Sequence, residues 1–227
     1  MKIANVLLAM VLGLLPFAGF AALEKAELQT LSEKATVKIF PQADRVLLHD
    51  VETHIYQPDG LGTVTDECYE KILTDKGREA MRSLSLQYST HDRKVEIPLV
   101  EVIRPDGSVR KIDVAANSRE AISTGSMGAN IYDPAGKVLT VNIPELAVDD
   151  IVHYIIRQKD IRVRVPDHWS DIFVLQYDFP ILHYEVRVDA PKKLPLQSVV
   201  VKDEVKGTLT ASRKEEKERI KIGRAHV

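Results

Sequence analysis

At 227 residues with a formal net charge of −2, the chain has room for one large β domain or two small ones, and it lacks the basic excess that nucleic-acid binding requires. Its 44% hydrophobic content is that of an ordinary globular protein. A single cysteine, Cys68, excludes an intrachain disulfide, so packing must supply the stability.

The N-terminus reads as a secretory signal. Lys2 is a short positive region, Val6 to Leu15 is apolar, and Pro16 precedes small residues, with Gly19 and Ala21 placed for cleavage after Ala21. The span from Ile3 to Phe20 covers 18 residues and contains Asn5 and Pro16, short of the ~20 apolar residues a membrane helix needs. An exported, periplasmic or otherwise extracytoplasmic protein is expected. No cysteine follows the cleavage site to carry a lipid anchor.

Residues 22–40 form a helical lead-in, in which Leu28 and Leu31 give Glu24–Lys34 one apolar face. Arg45–Gln57 turns to period two, with Val51, Thr53 and Ile55 opposed to Glu52, His54 and Tyr56. Pro58-Asp59-Gly60 is a turn, and Thr63–Leu73 is expected to pair back antiparallel. After a turn at Thr74–Gly77, Gly77–Leu86 reads as a further turn leading into a strand. Lys94–Arg104 and Val109–Val114 flank Pro105-Asp106-Gly107-Ser108 as a tight hairpin, and Pro98 marks an edge or a bulge in the first of them. Ala115–Gly136 is weakly patterned, crowded with Ser123, Thr124, Gly125, Ser126, Gly128 and Asn130, and reads as a long loop and the first place to look for a ligand contact.

The strongest strand signals run from Lys137 to Pro191. Lys137–Ile143 is one strand. The next starts at Ile151 and changes phase, since Val152, Tyr154 and Ile156 share one parity and Ile161, Val163 and Val165 the other, which predicts a β-bulge at Arg157–Asp160. Phe173–Tyr177 and Ile181–Asp189 follow, then the weaker Leu196–Lys202 and Gly207–Ser212. Trp169, Phe173 and Phe179 are candidates for a central packing group. Short strands, hairpin turns and little helix define an all-β fold, an antiparallel β-sandwich of immunoglobulin-like two-sheet architecture with a short N-terminal helix, over residues 41–212.

Arg213–Arg219 is a charge run that reads as a solvated edge or a linker, with residues 213–221 taken as the start of a charged linker. The codons ATC GGA AGA GCA CAC GTC would encode Ile222–Val227, and that string looks like the start of a common sequencing-library adapter. The natural reading frame is therefore expected to be left near Lys221, with residues 222–227 non-native and a longer natural protein.

No residue pattern specifies a catalytic, cofactor-binding or metal site. Cys68 sits within a strand between Glu67 and Tyr69, where a carboxylate neighbour disfavours the thiolate a nucleophile needs, so a structural role is expected. His49, His54, His91, His153, His168 and His183 show no metal-ligand spacing, and His49 and His54 have opposite strand parity. His168, Trp169 and Asp171 form the most site-like trio, which a turn around a buried tryptophan also explains. Asp149 and Asp150 fall short of the six to eight oxygens of a calcium site and read as turn residues.

Five stretches, PQADRVLLHDVETHIYQPDG, ILTDKGREAMRSLSLQY, EVIRPDGSVRKIDV, NIPELAVDDIVHYIIRQKD and WSDIFVLQYDFPILHYEVRVDAP, resemble in that order the β-sandwich domain of unknown function found N-terminal to bacterial transglutaminase-like domains. The resemblance covers about Ala35 to Ser212. Where that family usually has Gly-Asp before the long strand, this chain has Asp149-Asp150, and Asp tolerates a positive φ less readily than Gly. The resemblance implies a non-catalytic module whose partner is a downstream transglutaminase-like domain of the same natural chain, with a Cys-His-Asp triad that no residue here matches. The alternative is an independent envelope protein binding peptide or glycan; a stand-alone hydrolase is the third reading.

Overall fold

The computed structural model describes residues 23–125, 132–163, 165–200, 202, 207–216 and 219–226. The expected signal peptide, Met1–Ala21, lies outside the described residues, as do Ser126, Gly128 and Asn130 of the expected loop.

Helix α1 (Lys25–Lys34) packs Leu28 and Leu31 against the sheet. Strands β1 (Arg45–Tyr56) and β2 (Gly62–Ile72) form the expected antiparallel hairpin. Helix α2 (Asp75–Ala80), capped by the Thr74 hydroxyl on the Gly77 N–H, leads to β3 (Ser83–Ser89). Then come β4 (Arg93–Ile103), β5 (Val109–Lys111), α3 (Val114–Asn117), β6 (Ser118–Ile122), β7 (Gly136–Asn142), β8 (Ile151–Asp160), β9 (Tyr184–Pro191), β10 (Leu209–Glu215) and β11 (Arg219–His226).

Two sheets result. The larger has eight strands in the order β10-β11-β9-β1-β2-β8-β4-β5, and the smaller has three in the order β3-β7-β6. Valines and isoleucines of β4 and β8 (Val100, Val102, Val152) pack with Val141 of β7 and Ile143 to join the two. The fold is all-β and sandwich-like, as the strand pattern requires. It differs from a purely antiparallel sandwich in one ladder: β1 pairs with β9 in parallel, Asp50 opposite Tyr184 and Ile55 opposite Asp189.

Several local expectations are corrected. The phase change after Ile156 is not a bulge in β8, which pairs with β2 without a register shift and ends at Asp160. Ile161 onward simply leaves the sheet, so its parity is free. The bulges lie in β1, between Leu47 and His49, and in β4, between Glu96 and Leu99, where Pro98 cannot donate to the ladder. Phe173–Tyr177 alternates but joins no strand ladder; its residues belong to a strap, the β8–β9 connection from Ile161 to His183, that crosses the sheet face. Residues 196–200 are also outside any strand. The weakly patterned Ala115–Gly136 contains α3 and β6, because Asp113 caps α3 by accepting from Ala116 N–H and β6 then pairs with β7. Of the charged run, Arg213–Glu215 ends β10, the exposed edge strand of the large sheet, and Arg219 opens β11, so these residues join a ladder in place of the expected linker start, and the backbone of 222–226 continues β11 alongside β9.

The strap is held at its turn by close approach. Gly60 has φ +89°, and a Cβ there would lie 2.7 Å from the His168 carbonyl oxygen, a distance no side chain tolerates.

Candidate functional site

The β1 bulge decides which side chains each face receives. Val46 and Leu48 face α1 together with His49, while Leu47, Asp50 and Tyr56 face the strap. Of the two sets that alternate in the sequence, that of Glu52, His54 and Tyr56 is thus the one the strap covers. His54 is 3% and Tyr56 1% exposed, whereas Ile55 on the other face is 37% exposed. The covering residues are those expected to pack centrally. Trp169 stacks on Tyr56 at 4.6 Å between centroids, Phe173 meets His54 edge-on at 4.7 Å, and the Arg45 guanidinium sits 4.1 Å over the Phe179 ring.

Beneath the strap lies a cluster of carboxyls. Register places Asp50 opposite Cys68, and Glu52 opposite Asp66, with Glu70 two residues beyond Cys68 on the same face. Glu52 is well provided for: His54 Nε2 lies 2.7 Å from one oxygen and the Tyr184 hydroxyl donates to the other at 2.9 Å. Burial raises its pKa, but these bonds outweigh that and hold it below the usual carboxylate range. Asp50, Asp66 and Glu70 differ. Asp50 Oδ1, Asp66 Oδ1 and Glu70 Oε2 are enclosed and without a hydrogen-bond partner, although Arg45 Nη1 approaches Glu70 Oε2 at 3.4 Å. Burial first, and then repulsion from Asp66, pushes Asp50 far above the carboxylate range; burial raises Asp66 less, because the Asp50 carboxyl donates to it. Both shifts favour a proton held between the pair. Burial likewise raises Glu70, against the pull of Arg45.

Cys68, 1% exposed, sits within this cluster. Burial, then the carboxyls of Asp50, Glu70 and Asp66, drives its thiol well above the ordinary range, and the thiolate a nucleophile needs is suppressed. A cavity of about 250 Å³ opens here, walled by Leu47, Asp50, Cys68, Glu70, Tyr154 and Tyr177 among others.

The opposite face carries a paired network. His153, 4% exposed, lies 2.8 Å from Glu101 through Nδ1 and 3.0 Å from Glu67 through Nε2, and it stacks under Tyr69 at 3.9 Å. Burial raises Glu67, but the bonds from His153 and Tyr69 prevail and leave it depressed. His49 and His183 stack at 4.6 Å, brought together by the parallel β1–β9 ladder, and burial followed by repulsion from His183 lowers the His49 pKa. Beside them a groove of about 640 Å³ has Val51, Thr53 and Ile55 as part of its floor and Arg187, Lys214 and Lys221 on its rim.

The remaining candidates disperse. His91 and His168 are exposed, and of the trio only Trp169 and Asp171 touch the cluster, Asp171 at 3.6 Å from His54 Nδ1. Asp149 adopts φ +69°, the left-handed conformation a glycine would take without strain. Asp150 is fully buried and accepts from Arg104 at 2.5 Å and from Ala147 N–H at 2.7 Å, pinning the loop ahead of β8. Among the described residues no three His, Cys, Asp or Glu side chains are grouped to hold a metal ion, and no helix is long and apolar enough to cross a membrane.

Fold and site together define a sandwich-like β module whose single thiol is buried among carboxyls. The family described as a Domain of Unknown Function with solved structure (DUF3857) matches residues 58–224, and the chain belongs to it. No curated protein matches the sequence. Among solved structures the chain is similar to a "putative protease" from Parabacteroides distasonis ATCC 8503, with 12% identity, a TM-score of 0.64 and coverage of 80% of this chain but 35% of the other. It therefore spans about a third of that protein, and at this identity the likeness concerns the fold alone. An M1 zinc metallopeptidase from Deinococcus radiodurans (10% identity, TM-score 0.35, 82% of this chain and 40% of the other) and a CBM3a-L domain from Clostridium thermocellum (11%, 0.31, 52% and 69%) are too distant in shape to carry an argument.

Proposed function

We propose that this chain is the non-catalytic N-terminal module of an exported transglutaminase-like protein, supporting or presenting a downstream Cys-His-Asp thiol enzyme domain. The observation that carries the proposal is the state of Cys68: a thiol enclosed in the sheet, surrounded by Asp50, Asp66 and Glu70, cannot supply the chemistry. On this reading, chemistry of the thiol class belongs to the downstream domain. The resemblance of the five sequence stretches and the one-third coverage of a longer relative point the same way. The test compares this chain with the product of the uninterrupted gene in assays of amine incorporation into a glutamine peptide and of peptide hydrolysis. Activity is expected only in the longer product and is unchanged by Cys68→Ser. Hydrolysis by the isolated chain, lost in Cys68→Ser, overturns the proposal.

The groove on the α1 face favours a second reading, an independent envelope protein that binds peptide or glycan. Its floor of Val51, Thr53 and Ile55 and its rim, where Arg187, Lys214 and Lys221 stand beside Glu185 and Asp189, suit an extended peptide stem that carries both charges. Saturable binding of such a stem by this chain, abolished by Lys214→Glu with Lys221→Glu, would support it.

A further inference from the structure

The carboxyl cluster is out of electrical balance. Asp50, Asp66 and Glu70 face one another from β1 and β2, and the only cation among the residues lining their cavity is Arg45, which already pairs with Glu70 and lies over Phe179. From the other elements packed against them come groups that do not balance the charge. Tyr154 of β8 donates to Glu70 at 3.2 Å, Tyr184 of β9 is committed to Glu52, and the strap contributes Tyr177 and the acidic Asp178. His54, the nearest further base, is held by Glu52 and Asp171. Buried carboxyls in this position keep protons or take up a cation.

We infer that the cavity between β1, β2 and the strap is a binding site for a primary alkylammonium group, whose N–H donors go to the carboxyls of Asp50 and Glu70.

Three observations carry this. Asp50 and Glu70 are each 7% exposed, each forms part of the cavity wall, and each has an oxygen without a hydrogen-bond partner. An ammonium brings three donors that can be spread over separate acceptors, whereas a metal ion needs ligands grouped tightly, and that grouping is absent among the described residues. The rest of the wall suits a carbon chain: Leu47 is aliphatic, and Phe179, Tyr154 and Tyr177 present aromatic surface to methylenes and positive charge. The volume of about 250 Å³ is ample, since a cavity of roughly 150 Å³ accommodates benzene. The site belongs to this chain whether or not a thiol enzyme follows it.

Binding exchanges one cation for another. The ammonium takes the place of the proton shared by Asp50 and Asp66, and that proton leaves to solvent. Affinity therefore rises with pH, by about tenfold per unit while the pair is protonated in the free protein.

The test is calorimetric titration of the chain with n-butylammonium and, in parallel, with tetramethylammonium, which has the charge but no N–H. Binding of butylammonium is expected with release of about one proton at pH 7, counted from buffers of different ionisation enthalpy, and with Kd falling about tenfold from pH 6 to pH 7. Asp50→Asn, which resembles the protonated carboxyl in shape, is expected to abolish both binding and proton release. Glu70→Gln carries the same expectation and serves if the first variant fails to fold. Absence of butylammonium binding to the wild-type chain, equal affinity for tetramethylammonium, or undiminished binding in a folded variant overturns the inference.

Discussion

The two faces of the large sheet bury a comparable amount of charge and treat it in opposite ways. On the α1 face, His153 stands between Glu67 and Glu101, and Lys71 reaches the Ser32 carbonyl at 3.0 Å and Asp149 at 3.6 Å. Glu67, Glu101 and Asp149 there each have a donor. On the strap face, carboxyl meets carboxyl, and proton uptake does what a basic partner does on the other side. The difference teaches that burial alone does not fix protonation; the presence of one complementary side chain does.

Opposite pH responses follow. Glu67 is depressed, so its contribution to stability is present above the unfolded carboxylate pKa and lost as pH falls through its folded value. His49, also depressed, adds an acid-side loss that begins as the unfolded histidine protonates near pH 6.5. Asp50 is raised, so its contribution is complete below the unfolded carboxylate pKa and is lost as pH rises toward its folded value.

Breaking the paired face has the largest expected effect. His153→Leu leaves Glu67 and Glu101 enclosed without their common donor and is expected to cost about 3–5 kcal/mol in urea unfolding; a loss below about 1 kcal/mol would mean water replaces the imidazole. Trp169→Ala removes the plate stacked on Tyr56 and is expected to cost about 2–3 kcal/mol, less than full burial would give because the ring is half-exposed. The same variant should speed exchange of the β1 amides beneath the strap. Asp50→Asn sharpens the comparison from the other side. It is expected to stabilise the chain at pH 8 and to remove a slope of about 1 kcal/mol per pH unit between pH 5 and 8, leaving the acid-side loss from Glu67 intact. A variant with the wild-type slope would show that another group owns it. Smallest is Asp149→Gly, expected to raise stability by about 0.5–1 kcal/mol as the strain at φ +69° is relieved, with the exposed Lys71–Asp149 pair offsetting little; an unchanged or lower denaturation midpoint would contradict it.

Much of the framework was legible because it is local. The β1–β2 and β4–β5 hairpins follow from alternation and from turns such as Asp106-Gly107, where Ser108 N–H donates to Asp106 and Gly107 takes φ +81°. Pro98 foretold its own bulge. The site was not legible, for a physical reason. Period two shows that Val51, Thr53 and Ile55 oppose Glu52, His54 and Tyr56, but which set is covered depends on a strap more than a hundred residues away. Alternation left both sets open, and the one containing Glu52 and His54 became the one the strap covers. The signal that was available lay in the strap, where Trp169, Phe173, Leu175 and Phe179 need a surface to cover, and all four pack on the cluster around Tyr56 and Tyr184. Likewise the stacking of His49 on His183 rests on the parallel ladder, which no local pattern encodes.

That ladder also bears on how the chain reaches its structure. β8 and β9 run in the same direction, separated in the sheet by β2 and β1, so the strap must cross the face of strands that are already paired. β1, β2, β4 and β8 can assemble without it, whereas β9, β11 and β10 dock on β1 only when the crossing is complete. With the strap undocked the carboxyls of Asp50 and Asp66 lie open to water, so seating the strap is expected to favour proton uptake there and to weaken as pH rises.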